Sequence, residues 1–546
     1  MTAPKVLKLD PHDNVLVALT DLPAGATVEH SGQTYTVQTL IPAKHKFATE
    51  DFAINTEVMM YGVIVGRVRE PIARGGLLTT SNVAHDAAGF SGKQSNYKWV
   101  GPDVQEWQSR TFNGYHRQDG QVGTRNYWLV IPLVFCENRN VDALREAFEE
   151  ELGYGRPKKY RQQVHALLQE YRQSGSTPTA IPADSTPAPD RIFPNVDGIK
   201  FLVHQGGCGG TRDDSRALCG LLAGYIHHPN VAGATVLSLG CQNAQATDLF
   251  EELRKRDPQF AKPVLLFDQQ KSGLESTMLS DAIHATFQGL VEANKFERQP
   301  APLTKLTVGL KCGGSDGFSG ISANPAIGYV SDILAALGGK SILAEFPELC
   351  GSEQNLINRA EDSQVADRFI QLMRAYQGRA KAVNSGFEMN PSPGNIRDGL
   401  LTDAMKSAGA ARKGGSSPVE DVLDYPEYVK ATGLTLLCTP GNDVECVTAQ
   451  VGAGANIVLF TTGLGTPTGN PIAPVIKLAT NTKLAQRMSD IIDIDTGPVI
   501  DGATTIQSMG ESILDLVIEV ANGAKHTKAE GLRQDDFIPW KRGVSL

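Results

Sequence analysis

A small all-β domain followed by a large α/β portion with mostly parallel sheets is the fold class this sequence predicts. Three observations carry it. Residues 14 to about 80 break into short strand-like runs separated by Gly, Pro and Asp turns, with little helical periodicity. From Phe112 onward, apolar β-branched runs alternate with helical stretches, the order that builds parallel sheets covered by helices on both faces. A chain of 546 residues is also too long for one core and calls for two to four domains.

The small domain contributes the runs NVLVALTDL, TYTVQTLI, TEVMMYGVIVGRV and GGLLTTSN, each read as a strand. From Ala84 to about Gln108 the chain is polar and irregular, which suits a tether. The strands of the large part are YWLVIPLVF, GIKFLVH, GATVLSLG, KPVLLF, LTVGLK, KSILAEF, GLTLLC and NIVLFTTG. Helices such as DALREAFEEEL, TDLFEELRKRD and NPAIGYVSDILAAL lie between several of them. STPTAIPADSTPAPD, from Ser176, reads as an exposed proline-rich insertion. The stretch from about Asn384 to Ser417 has the Pro and Gly density of a long loop, and such loops are often functional. The domains are therefore drawn at 1–85 (β domain), 86–110 (linker), and 111–300 and 301–546 (two Rossmann-like subdomains, the second with glycine-rich loops).

Composition narrows the function. A net charge of −9 and the lack of a basic tract argue against a nucleic-acid partner. No apolar run reaches about 18 residues and the amino terminus has no signal-peptide core, so neither a membrane nor export is expected and the cytoplasm is. Eight cysteines in such a chain are reduced thiols rather than a disulfide framework.

In open α/β sheets, ligands bind beyond the carboxyl ends of the strands. Four cysteines fall there: Cys136 after LVIPLVF, Cys208 after FLVHQGG, Cys241 ending VLSLGC and Cys312 ending LTVGLKC. Free cysteine also packs well as a small hydrophobe, so position alone leaves both readings open. His204 stands four residues before Cys208, and thiolate with imidazole suits iron or zinc. The loop CGGSDGFSG lacks the lysine and spacing of a nucleotide-phosphate loop, as does GLGTPTG; both still offer N–H groups and hydroxyls to a carboxylate or polyol. Glu345 and Glu348 in LAEFPEL are a metal ligand, a general base or exposed loop charges. Lys477 in APVIKLATN is a cation in an apolar segment, either snorkelling or meeting an acidic substrate.

Taken together the motifs resemble the altronate and galactarate dehydratase family, sugar-acid dehydratases with an amino-terminal SAF-like (β-clip) domain. HKFA (His45 to Ala48) and YGVIVGR carry it in the small domain. DGQVGTRN, His204 with Cys208, LGCQN, CGGSDGFSGISANP, EFPE, NPSPGN, PGND, TTGLGTPTG and PVIKLATNT carry it in the large one, over nearly the whole chain. The resemblance implies an iron-dependent hydro-lyase that converts an aldonate or aldarate to a 2-keto-3-deoxy acid. D-altronate, in hexuronate catabolism, is the expected substrate, with galactarate or another sugar acid next. A sugar-acid sensor without catalysis is the alternative of a different class.

On that footing we assign Cys136, Cys208, Cys241, Cys312 and His204 to iron, held as one ferrous ion or as an iron–sulfur cluster. Glu345 or His45 serves as base or acid. Lys477 and Arg125 bind the carboxylate, and Asp316, Ser315, Asn324 and Thr466 read hydroxyls, with Asn126 and Asn395 as further substrate contacts. A homo-oligomer is expected of such an enzyme. Two departures stand out. The altronate branch has His-x-His-Asn where this chain has Thr79, Thr80, Ser81 and Asn82, and its GNK is Asn395-Ile396-Arg397 here.

Overall fold

Residues 4–155, 159–175 and 190–545 are described by a computed structural model. The insertion expected from Ser176 lies outside the described residues up to position 189.

The small domain is a set of antiparallel sheets. Val6–Leu7, Val15–Ala18 and Lys46–Ala48 form one, Thr27–His30 pairs with Gln33–Thr36, and Glu57–Met60, Val63–Val68 and Val83–Ala84 form the third. TEVMMYGVIVGRV, expected as one strand, is a hairpin: Tyr61 and Gly62 both take positive φ (59° and 76°), the two-residue turn whose twist suits paired strands. GGLLTTSN is a turn instead, in which the Thr79 N–H donates to Asn82 Oδ1 at 2.7 Å. The core of this domain is completed from outside, because Val15, Phe52, Val58 and Val65 pack with Phe318, Ile321, Leu401 and Met405 of the large part.

The expected tether contains no helix or strand between residues 85 and 110, yet it is pinned down. The Tyr97 hydroxyl donates to the Ser416 carbonyl at 2.7 Å and Trp99 Nε1 to Ser416 Oγ at 3.1 Å. Thr111–His116 then pairs antiparallel with Val122–Gly123 and Gln299–Pro302, a small sheet absent from the sequence-based expectation.

Two parallel sheets follow. The four-stranded one runs Gly198–Phe201, Tyr127–Pro132, Val231–Ser238, Val264–Asp268 in spatial order. The seven-stranded one runs Val419–Leu423, Gly433–Leu437, Lys340–Leu343, Thr307–Cys312, Ile457–Thr462, Val475–Ala479, Ile494–Asp495. In each, the first strand in sequence sits inside the sheet with the chain turning away to either side, which leaves a crevice at its carboxyl end. Helix Arg212–His227 of the first unit and helix Asp443–Gly452 of the second share one core. Their backbones touch where Gly224 meets Gly452; a β-carbon on Gly224 would sit 2.1 Å from the Gly452 carbonyl oxygen.

Candidate active site

Strand Thr307–Cys312 is buried from end to end, because both faces of the seven-stranded sheet are covered. It delivers Lys311 and Cys312 to its carboxyl end. The neighbouring strand Lys340–Leu343 leads into Glu345, a non-glycine residue held at φ 68°, ψ 60°. That left-handed conformation costs a carboxylate-bearing residue energy and is the kind of strain that collects at functional sites. One short turn later comes Glu348. Helix Asp403–Ala411 supplies Lys406, and the turn after it supplies Lys413.

These side chains interlock. Glu345 takes Lys311 on Oε1 and Lys413 on Oε2, and Lys413 Nζ also lies 2.9 Å from Cys312 Sγ. Lys311 reaches Asp443 at 2.9 Å. Glu348 holds Lys406 at 2.8 Å through Oε1 and sits 3.4 Å from Cys312 Sγ through Oε2. Burial opposes charge on all three lysines, but the carboxylates around them hold each above the ordinary lysine range. For Glu348, burial acts upward and is outweighed by Lys406, Lys311 and Lys413, so its carboxyl falls to about 2. Burial, partly countered by Lys413, pushes the Cys312 thiol up to about 11, so it is protonated at neutral pH.

A cavity of about 530 Å³ opens on this cluster, lined among others by Cys312, Ser315, Glu348, Asn390, Lys406 and Asn442. Its floor is the glycine loop: Gly314 has φ +58°, and a β-carbon there would come within 2.7 Å of Thr466 Oγ1. Its outer wall is the 385–395 segment, part of the long loop singled out in the sequence. Glu348 and Lys406 line the cavity, whereas Glu345, the expected base, is buried outside the lining residues with both oxygens paired.

Of the other expected substrate contacts, Ser315 is well placed: it lines the cavity and its buried hydroxyl has no hydrogen-bond partner among the described residues. Asn395 lines it too, but is occupied by the Ser392 cap and by donation to the Ser315 carbonyl at 2.7 Å, so it shapes the loop. Thr466 is half-buried against Gly314. Asp316 is fully buried, accepting from Thr480 and Ser319 and pairing with Lys44 of the small domain at 3.0 Å; it fastens that domain on rather than facing the cavity. His45 lies at the same junction, its Nδ1 3.3 Å from the Ala43 carbonyl oxygen and its pKa lowered by burial.

Four assignments are corrected outright. Lys477 is buried with its ammonium on the Thr466 and Thr468 carbonyls and over the Phe460 ring at 4.2 Å, which holds the GLGTPTG loop from behind. Asn324 donates to the Gly409 carbonyl and accepts from Thr461. Arg125 and Asn126 precede strand Tyr127–Pro132, the end opposite to a ligand crevice. Arg125 is clamped by Glu530 at 2.7 Å and 3.0 Å, and the Asn126 amide donates to the Asn195 and Ala293 carbonyls.

The four thiols are not one ligand set. Cys312 is buried at the seven-stranded sheet, while Cys136, Cys208 and Cys241 are exposed in loops at the carboxyl end of the four-stranded sheet. His204 is not available to a metal beside them: Nδ1 accepts the Gly206 N–H at 3.1 Å, so Nε2 carries the proton and donates to the Pro132 carbonyl at 2.7 Å. Burial lowers its pKa to about 4. Beside the cavity that Glu348 and Lys406 line, one ligand atom each of Cys312, Glu345 and Glu348 lie within 4.8 Å of one another. Ammonium groups already sit on both Glu345 oxygens and on Glu348, so this cluster is neutralised by lysine and does not fit a divalent cation.

Sequence reasoning missed Lys311, Lys406 and Lys413. Lys311 carried a signal, the same one that marked Lys477: a lysine inside an apolar strand.

Residues 303–545 match the family described as D-galactarate/altronate dehydratase, C-terminal. Residues 114–294 match D-galactarate dehydratase/altronate hydrolase, second domain, and residues 4–86 match the altronate/galactarate dehydratase SAF domain. The chain is 33% identical over 544 residues to an altronate dehydratase of Escherichia coli K12 and 32% identical over 545 residues to one of Bacillus subtilis 168, with 99% of each chain covered in both cases. It is 31% identical to a galactarate dehydratase (L-threo-forming) of Escherichia coli K12, over 94% of this chain and 91% of that one.

Proposed function

This chain belongs to the D-galactarate/altronate dehydratase family, and from that premise we propose that it removes water from D-altronate to give 2-dehydro-3-deoxy-D-gluconate, a step of hexuronate catabolism. The observation that favours an aldonate over a dicarboxylic aldarate is the charge of the cavity. Lys406 is the single cation among its lining residues, enough for one carboxylate.

The chemistry follows from the Glu348–Lys406 pair. A C2 proton beside a carboxylate is weakly acidic because its removal piles charge onto an existing anion, so a cation must meet the developing enediolate. Lys406 takes the substrate carboxylate. In turning to it, the ammonium gives up part of its hold on Glu348, whose proton affinity rises from the low value that the lysines impose. Glu348 then accepts the C2 proton. The electron pair left behind forms the C2–C3 double bond as the C3–O bond breaks, and the departing hydroxyl takes the proton back from Glu348 to leave as water. The enol becomes the 2-keto acid. Ser315, with its free hydroxyl, and the amides of Asn390 and Asn442 read the remaining hydroxyls. Glu345 keeps Lys311 and Lys413 in place.

The test is 2-keto acid formation from altronate, galactarate, gluconate and galactonate, run anaerobically with and without ferrous iron. Altronate is expected to give the highest kcat/KM. Preference for galactarate would overturn the single-carboxylate reading, and no product from any sugar acid would overturn the dehydratase.

A further inference from the structure

A cavity of about 380 Å³ opens where the small domain meets the large one, and it shares no lining residue with the catalytic cavity. Its walls come from far-apart pieces of chain. The hairpin turn of the small domain brings Tyr61, helix Ala323–Leu337 brings Tyr329 and Asp332, and helix Glu353–Arg359 brings Asn355 and Arg359. The turn after helix Asp403–Ala411 brings Arg412.

The charges of this lining do not balance. Arg359 is only 6% exposed and donates through Nε to the Ser417 carbonyl at 3.0 Å and through Nη2 to the Gly414 and Ser417 carbonyls at 3.1 Å and 2.6 Å. Its Nη1 has no hydrogen-bond partner among the described residues. The Arg412 guanidinium makes neither a hydrogen bond nor an ion pair among the described residues, and lies over the Tyr61 ring at 4.8 Å. Asp332, the one carboxylate of the lining, is already committed: it accepts the Ser416 N–H at 2.7 Å and 2.9 Å, the Ser417 N–H at 2.8 Å and the Ser416 hydroxyl at 2.8 Å. Buried charges are ordinarily paired. Arg359 is held by carbonyls alone, and burial lowers its pKa because Tyr97 and Asp332 offset that burial only in part. A cavity of about 580 Å³ lined by Cys208 and Trp540 makes the contrast. It carries one charge of each sign, Asp214 and Lys541, and adjoins the catalytic cavity, its Trp540 ring meeting that of Tyr376 at 5.4 Å.

We propose that the Arg359–Arg412 cavity binds a small hydroxylated monocarboxylate, at a site separate from the catalytic one. Guanidinium groups match the geometry of a carboxylate, and one negative charge cancels the excess of one cation. A phosphate dianion would overshoot that excess and meet Asp332. Ser352 and Asn355 offer a hydroxyl and an amide to the rest of the ligand, and Tyr61 and Tyr329 supply ring walls. Next to Arg412 on the same turn is Lys413, whose ammonium lies on Glu345 and Cys312. Ligand and catalytic cluster therefore share one turn of chain.

The test is calorimetric titration of the full chain with 2,4-dihydroxybutanoate, a hydroxylated carboxylate with no hydroxyl on C3 to lose, beside inorganic phosphate and neutral glycerol. The acid should bind, and Arg412→Gln should raise its Kd about tenfold or more, as expected for loss of a charged hydrogen bond. Asn355→Trp, at an exposed position of the lining, should weaken it by filling the cavity while the circular dichroism of the parent is kept. Lys406→Gln, which removes the cation of the catalytic cavity, should leave this binding in place. No binding of the acid, a Kd that Arg412→Gln and Asn355→Trp both leave unchanged, binding lost in Lys406→Gln alone, or tighter binding of phosphate or glycerol would overturn the proposal. Turnover is not read, so the outcome is independent of whether the chain dehydrates any sugar acid.

Discussion

At the carboxyl end of the seven-stranded sheet, Cys312 is sealed among Lys311, Lys406, Lys413 and the carboxylates of Glu345, Glu348 and Asp443; at that of the four-stranded sheet, Cys136 stands exposed in a short 3-10 turn and Cys208 and Cys241 stand exposed beside glycines. Topology treats the four alike, since each follows a parallel strand. Their surroundings do not. Lysines arriving from a helix and the turn after it, about a hundred residues downstream, surround the first, whereas the other three are exposed. Strand order therefore decides where a reactive group is placed, and the elements folded over that end decide its protonation and what it can bind.

The sharpest way to break this contrast is to remove the cavity-facing carboxylate. Glu348→Gln should lower kcat by about 10²- to 10⁴-fold on whichever sugar acid the parent prefers, with the fold intact by circular dichroism. A change under tenfold would move the chemistry away from this end of the sheet. Next in size is stability. Lys413→Met strips a buried charge from Glu345 and Cys312 and should cost about 3 to 5 kcal/mol in urea unfolding. In the metal-free chain, the exposed Cys241→Ser should shift the same measurement by no more than about 0.5 kcal/mol. If the two variants cost alike, the distinction between a sealed and an open end fails.

Acid should erode the seven-stranded end through Glu348. Glu348 is held near 2, below its usual 4.5, so the folded chain gives up this proton more readily than the unfolded one. The stability it lends is complete above about pH 4.5 and drains as pH falls toward 2. Urea midpoints measured from pH 5 to pH 3 should therefore fall less steeply in Glu348→Gln than in the parent. Parallel slopes would show that Glu348 is not held low by its lysines.

Much of this was legible beforehand. The strand runs of the large part are legible because most of them, buried on both faces, read as unbroken apolar stretches, and all four thiols follow or end such a run. A boundary at residue 300 already separates Cys312 from the other three thiols, and the expectation of one shared ligand set crossed it; which strand ends lie side by side is set by pairings far apart in sequence. Lys406 and Lys413 were missed for a related reason. They lie in a polar stretch that read as loop, and only the docking of helix Asp403–Ala411 against the small domain and the Glu345–Glu348 turn turns them inward. Arg125 and Asn126 show the converse error. A conspicuous motif was given a substrate when its side chains hold the far end of a sheet together.

The Tyr376–Trp540 contact has a practical side. The chain has four tryptophans, of which Trp107 and Trp128 are buried and Trp99 is bonded to Ser416 in the linker contact. Trp540 is the one whose ring lines the Cys208 cavity and also meets Tyr376 in the wall of the Glu348–Lys406 cavity. The fold thus carries its own optical probe: filling either cavity should alter the emission of a single indole, which makes binding at both sites observable without a label.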